Sequence, residues 1–138
     1  FSSRGTFVGA MCARLEAELA ELEPEEAAEF RREMGAAEGE TTRVLDLACE
    51  ALGLITFFTG GDNECRAWAV PVGTAALEAA GRVHSDIERG FIRAEVIRWD
   101  ELVAAGGFAG AKKHGRLRSE GKQYLVQDGD VVNVLFSV

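Results

Sequence analysis

The stretch that decides the fold is Asp128-Gly129-Asp130-Val131-Val132-Asn133-Val134-Leu135-Phe136-Ser137-Val138. Its Asp-Gly-Asp start is typical of a tight turn, because glycine adopts positive φ without a steric penalty. The alternating apolar residues that follow predict a β-strand. We therefore expect the end of this chain to lie in a sheet, within a compact, strand-rich second half that is suited to binding.

Upstream of this stretch, the hydrophobic period predicts a mixed module. Gly60–Asn63 is a hairpin signal between two β-like runs, and Thr74 is a candidate N-cap for a helix. In the strongest strand the alternation puts Phe91 on the face opposite Ala94 and Val96. The order β-β-α-β-(α)-β-β predicts an α+β fold, a ubiquitin-like β-grasp sheet packed on one helix. The predicted strands are Leu54–Thr59, Cys65–Val70, Phe91–Trp99, Gln123–Gln127 and Val131–Val138, with a helical turn at Asp100–Val103.

The first 53 residues have a different pattern, one strand followed by three short helices. Phe7–Cys12 is an apolar run typical of a buried strand, and Leu15, Leu19 and Leu22 mark an amphipathic helix. A second helix is expected from Pro24 to Gly35. A third is expected from a cap at Thr41 or Thr42, with inward-facing Val44, Leu45, Ala48 and Leu52. These elements are a poor candidate for a free-standing core.

The acidic charge is concentrated in the same first part of the chain. The net charge is −8, and the residues up to Leu54 contribute −7 of it, from twelve acidic and five basic side chains. Against this background, Ala109–Lys122 holds five basic residues and one acidic residue. Such a cluster indicates contact with an RNA backbone, although a solvated loop is the plain alternative. With only Tyr124 nearby, base stacking would be limited. The candidate RNA-binding residues are Lys112, Lys113, Arg116, Arg118 and Lys122.

Several kinds of chemistry have no support in the sequence. The segment Gly107–Lys113 has the wrong spacing for a phosphate-binding loop. His84 and His114 lie far apart and have no nucleophile at motif spacing, so we expect no catalytic residue. The cysteines form no CxxC pair and predict no metal site; we expect buried, reduced thiols at Cys12, Cys49 and Cys65. No apolar run is long enough to span a membrane.

Several segments resemble the Obg-like ATPases of the YchF type. They are Thr59–Trp68, His84–Ile97, Gly110–Tyr124 and Asp128–Val138. The resemblance implies that residues 54–138 form a TGS domain, which has a β-grasp fold. It also implies that residues 1–53 are the last strand and helices of an Obg-type nucleotide-binding domain, with Cys12, Ala13 and Arg14 in the loop that contacts the base.

The resemblance further implies a cytoplasmic, ribosome-associated ATPase that uses ATP and Mg and also binds GTP. The P-loop of that family is not found in this chain, so we expect this part alone to be inactive and to hold no cofactor. In the leading hypothesis the TGS domain contacts the ribosome or its RNA. In a second, it docks on its own upstream ATPase domain and regulates it, through Trp68, Phe91 and Trp99. The remaining alternative is a structural protein-interaction module that docks there without RNA contact.

Overall fold

The computed structural model describes residues 6–36, 40–61 and 64–137. The chain divides into two compact units, Phe1–Leu52 (unit 1) and Gly53–Val138 (unit 2). Across the described residues, no helix combines the length and the apolar character needed to cross a membrane.

Unit 1 contains three helices, α1 (Ala13–Leu19), α2 (Pro24–Glu33) and α3 (Glu40–Ala51). Pro24 opens α2, where its missing N–H costs no hydrogen bond. Gly35, with φ of 63°, follows the C-cap Met34 and ends the helix as predicted. The guanidinium of Arg31 binds both oxygens of Glu16, at 2.6 and 2.8 Å, and so ties α2 to α1.

Three predictions for unit 1 are wrong. Residues 7–12 form no strand and are exposed, because the described part of unit 1 offers no neighbouring strand for their backbone groups. The third helix begins at Glu40, before both threonines proposed as its cap. The four side chains expected to face inward from α3 are exposed, and among the described residues of unit 1 only Leu19 is buried. Three short helices enclose too little volume for a core.

Unit 2 is built on a five-stranded sheet in the order β2-β1-β5-β3-β4. β1 and β2 form the predicted hairpin, while β5 pairs in parallel with β1 and antiparallel with β3. This order, with the helix α4 (Ala76–Val83) packed on one face, is the β-grasp arrangement, so the predicted fold class is confirmed. The strands are β1 (Leu54–Gly60), β2 (Cys65–Pro71), β3 (Phe91–Arg98), β4 (Arg118–Glu120) and β5 (Asp130–Phe136).

Two hydrophobic clusters cover opposite faces of the sheet. The larger joins Phe57, Val96 and Val132 to the buried alanines of α4 (Ala76–Val83), which let the helix approach closely. The smaller joins Ile97 and Val131 to Ala111. This smaller cluster is covered by α6 (Trp99–Ala104) and α7 (Phe108–Lys113). Helices therefore flank both faces of the sheet, whereas the sequence predicted a sheet packed on a single helix. A short helix that was not predicted, α5 (Ser85–Arg89), follows α4.

The strongest predicted strand differs from its simple alternation. A register shift between Phe91 and Arg93 marks a bulge in the β3–β5 ladder. The extra residue moves Phe91 onto the face of Ala94 and Val96, where all three are buried in one cluster. The strand also ends one residue early, because Trp99 begins α6.

The fourth strand lies earlier than predicted, at Arg118–Glu120 in place of Gln123–Gln127. Leu125 makes only an isolated bridge, to Ala75. The segment around it hydrogen-bonds to the start of α4 instead: Ala76 donates to the Tyr124 carbonyl at 2.8 Å, and Val126 donates to the Thr74 carbonyl at 3.0 Å. Those backbone groups are therefore not available for a ladder.

Candidate nucleic-acid interface

Three of the five basic residues of the candidate interface lie in regular structure. α7 brings Lys112 and Lys113 in its last turn, where cations interact favourably with the helix dipole. Ala111 on the same helix is buried against the sheet, which fixes α7 in place. Arg116 then leads into β4, and Lys122 lies in the turn that follows it. Lys112, Lys113 and Arg118 thus lie on a helix or strand, whereas Arg116 and Lys122 lie in the segments that flank β4.

Four of the five cations are open to solvent. Lys112, Lys113, Arg116 and Lys122 are exposed, and none makes an ion pair with any residue that the structure describes. An incoming phosphate would break no existing pair and would displace mainly water and counterions. These four side chains are the ones best placed to meet a polyanion.

The fifth cation, Arg118, has a partner within the fold. Its Nη2 lies 3.3 Å from Oδ1 of Asp130 and 3.1 Å from the Tyr124 hydroxyl. The Asp130 side chain is 1% exposed, whereas that of Arg118 is 49% exposed. Asp130 also accepts hydrogen bonds from the Tyr124 hydroxyl at 2.7 Å and from the Gln127 N–H at 2.9 Å. We call these four residues the Asp130 anchor.

The Asp130 anchor has two electrostatic consequences. Partial burial, followed by the hydrogen bond to Asp130, raises the pKa of Tyr124 to about 12. The Arg118 guanidinium also lies over the Tyr124 ring, 5.5 Å from its centroid. That face of the ring is therefore covered. The anchor joins β4, β5 and the turn with Lys122, so it supports the surface from which the free cations project.

The residues proposed to contact a nucleotide base lie in unit 1. Cys12 precedes α1, and Ala13 and Arg14 are its first two residues. Arg14 is exposed and pairs with Glu18 at 3.0 Å. Their role at a nucleotide stays a prediction.

Other candidates for chemistry have structural roles. Nδ1 of His84 accepts the Asp86 N–H at 3.1 Å and caps α5. All three cysteines are exposed, contrary to the prediction of buried thiols. Within the described ranges, no three potential metal ligands come together. A cleft of about 420 Å³ beside the β1–β2 hairpin is lined by Val83, Ile87 and Phe136 and by the ion pair Glu64–Arg66, and its described lining residues include no nucleophile in contact with a base.

The three aromatic residues proposed for docking have separate environments. Trp68 stacks on Phe57 and donates to the Thr59 hydroxyl at 2.9 Å, and Phe91 is buried. Both therefore pack within unit 2. Trp99 is 50% exposed and is the only one of the three with a large free surface.

Comparison with known proteins identifies the family. The YchF-GTPase_C family, described as "Protein of unknown function (DUF933)", matches residues 54–137. The chain belongs to this family. The ribosome-binding ATPase YchF of Escherichia coli O157:H7 is 46% identical over 137 residues, which are 99% of this chain and 38% of that protein. The protein of the same name from Bacillus subtilis (strain 168) is 49% identical over 128 residues, 93% of this chain and 35% of that protein.

A solved structure agrees with the sequence relatives. The Schizosaccharomyces pombe YchF GTPase superposes with a TM-score of 0.80 at 28% identity, over 91% of this chain and 33% of that one. The chain thus spans little more than a third of the length of the curated relatives that it matches.

Proposed function

We propose that this chain is the C-terminal part of a YchF-type ribosome-associated ATPase of the cytoplasm, and that its TGS-type β-grasp unit contacts the ribosomal RNA backbone. The observation that carries the proposal is the set of four exposed cations without an ion pair among the described residues, two on α7 and two in the segments that flank β4. The relatives are named ribosome-binding ATPases, which supports the choice of partner. The cations suit the negative RNA backbone, which dominates such affinities.

The contact residues are expected to differ in role. Lys112, Lys113, Arg116 and Lys122 would meet phosphates directly. Arg118 would act mainly by holding β4 and the following turn through Asp130. Recognition would be by backbone and shape, because the Arg118 guanidinium covers one face of Tyr124.

Co-sedimentation with purified ribosomes tests this proposal. Lys112→Glu with Lys113→Glu should weaken binding about a hundredfold, since two charge-assisted contacts of roughly 1.5 kcal/mol each are lost. The matched control is Arg82→Glu with Arg93→Glu, which makes the same change of charge at two exposed positions outside the basic segment. Equal binding by the two double variants, or no loss in either, would remove the RNA role.

A second candidate is regulation of, or docking on, the ATPase domain without RNA contact. The half-exposed Trp99 favours it, since a large exposed aromatic residue often marks a protein contact. The ATPase rate of the longer protein, measured with and without residues 54–138, tests this candidate. An unchanged ATPase rate excludes regulation. Docking is excluded if residues 54–138 show no affinity for the rest of the protein when the two parts are mixed.

A further inference from the structure

The outer face of α6 carries two large apolar residues. Trp99 and Val103 are four residues apart and so lie on the same side of the helix, and they are 50% and 72% exposed. Leu102, which neighbours both residues on the helix surface, packs into the smaller core cluster. The apolar face of α6 is therefore only partly buried: Leu102 lies against the core, whereas Trp99 and Val103 leave apolar surface open to solvent.

The indole of Trp99 is held in a defined position. The backbone N–H of Trp99 donates to the Gly129 carbonyl at 3.0 Å, which fixes the start of α6 beside the glycine. Gly129 has φ of 81°, and a methyl group added to it would lie 2.9 Å from Cδ1 of Trp99. The ring therefore rests directly on the glycine backbone. A contact residue fixed in this way loses little conformational entropy when a partner binds.

The rim of this apolar surface is acidic. Asp100, Glu101 and Asp128 are all exposed next to Trp99 or its Gly129 support. Arg98 pairs with Asp100 at 3.1 Å and lies 3.5 Å from the Asp128 carbonyl. Three carboxylates and one guanidinium give a local charge of −2. An RNA strand would be repelled here, whereas a cationic protein segment would be attracted.

We propose that this surface, defined by Trp99, Val103, Asp100, Glu101 and Asp128 and called the Trp99 patch, docks a basic protein segment. An aliphatic side chain of the partner packs on Trp99 and Val103, and flanking lysine or arginine residues face the three carboxylates. The Trp99 patch is distinct from the basic segment proposed to contact RNA, and the two surfaces would bind partners of opposite charge. The contact area is small, so the interaction is weak and reversible.

Three peptides of equal length test the proposal with the purified chain. One contains leucine flanked by lysines, one leucine flanked by glutamates, and one serine flanked by lysines. The Trp68→Phe background leaves Trp99 as the single fluorescent tryptophan, since the chain has two. We expect only the lysine–leucine peptide to shift the Trp99 emission and to bind measurably by calorimetry.

Variants separate docking from folding. Trp99→Ala should lower the affinity for the lysine–leucine peptide at least about tenfold, the loss typical of a central contact residue. Asp100→Asn with Glu101→Gln should also lower this affinity and reduce its dependence on salt. Ile92→Ala, which removes an exposed apolar side chain elsewhere in unit 2, should change its affinity less than about twofold. Circular dichroism checks that each variant is folded.

Several results would overturn the proposal. They are the absence of binding by the lysine–leucine peptide, equal binding of the glutamate–leucine peptide, and unchanged affinity of a folded Trp99→Ala variant. Quenching of Trp99 by a single-stranded RNA in place of the peptide would assign the patch to nucleic acid instead. None of these results depends on ribosome binding, so the two proposals can fail separately.

Discussion

Replacement of Asp130 tests the Asp130 anchor most directly. Asp130 is the only charged side chain that is buried among the described residues of the chain. Asp130→Ala removes the acceptor for the Tyr124 hydroxyl and the Gln127 N–H, and it removes the carboxylate with which Arg118 pairs. Asp130→Asn keeps the shape and one oxygen, but it places an amide where the guanidinium approaches.

The expected cost follows from these contacts. Hydrogen bonds to a charged group contribute roughly 1.5–3 kcal/mol each. The pair with Arg118 adds no more than about 1 kcal/mol, because the guanidinium is half exposed and solvent screens it. Asp130→Ala should therefore lower the free energy of unfolding by about 3–5 kcal/mol. Asp130→Asn, which can keep both hydrogen bonds through its remaining oxygen, should lower it by about 1–2 kcal/mol.

Urea unfolding followed by tryptophan fluorescence measures this effect, because both tryptophans lie in unit 2. For a unit of this size the alanine variant should also melt at least roughly 12 °C lower. Arg118→Gln serves as the matched control, and its cost should stay near about 1 kcal/mol. A loss below about 1 kcal/mol for Asp130→Ala, or equal losses for the alanine and asparagine variants, would refute the anchoring role.

Three further predictions follow from unit 2. The chain's single tyrosine, Tyr124, should titrate near pH 12 when followed by its near-ultraviolet absorbance. Because its pKa is raised in the folded state, the neutral phenol stabilises the fold fully below about pH 10, and this stability is lost as the pH rises to about 12. Normal titration of Tyr124 in the Asp130→Asn variant would show that the hydrogen-bond network, not burial, causes the raised pKa. Gly129→Ala should lower the free energy of unfolding by about 2 kcal/mol, because a positive φ and the contact with Trp99 combine at this position. Gly115 has a positive φ but no neighbouring atom, so Gly115→Ala should lower it by only about 1 kcal/mol. Equal losses would contradict the contact with the ring. In RNA binding, Lys112→Gln should lower the slope of log affinity against log salt by about 0.7–0.9, whereas Arg118→Gln should leave the slope unchanged while weakening affinity, and the reverse pattern would make Arg118 the phosphate ligand.

The sequence predicted the elements whose pattern is local. The hairpin at Gly60–Asn63, the helix end at Gly35 and the last strand depend on turn residues and short-range periodicity. The bulge at Phe91–Arg93 depends on the β3–β5 ladder instead, a pairing between residues about 40 positions apart. The fourth strand was misplaced for a similar reason, because residues 121–127 give their backbone hydrogen bonds to the distant start of α4.

In the candidate site, too, the local pattern was predictable from the sequence and the pairing between distant residues was not. Composition located the basic segment, but it could not separate the free cations from Arg118, because an arginine that binds phosphate and one that pairs with a buried carboxylate look alike in sequence. The signal that could have separated them is Asp130 itself. An aspartate at the first position of an apolar strand needs a partner if it is buried, and its partner lies twelve residues away.

The Asp-Gly-Asp turn links both proposed surfaces to the sheet. Asp128 accepts the Thr56 N–H at 2.8 Å and so fixes the turn on β1. Gly129 supports Trp99, and Asp130 holds Arg118 and Tyr124. Three consecutive residues thus position an acidic, apolar patch and a basic segment on one rigid scaffold. A substitution in this turn should therefore weaken basic-peptide binding and RNA binding together, whereas substitutions at Val103 or Lys112 should each affect only one of them.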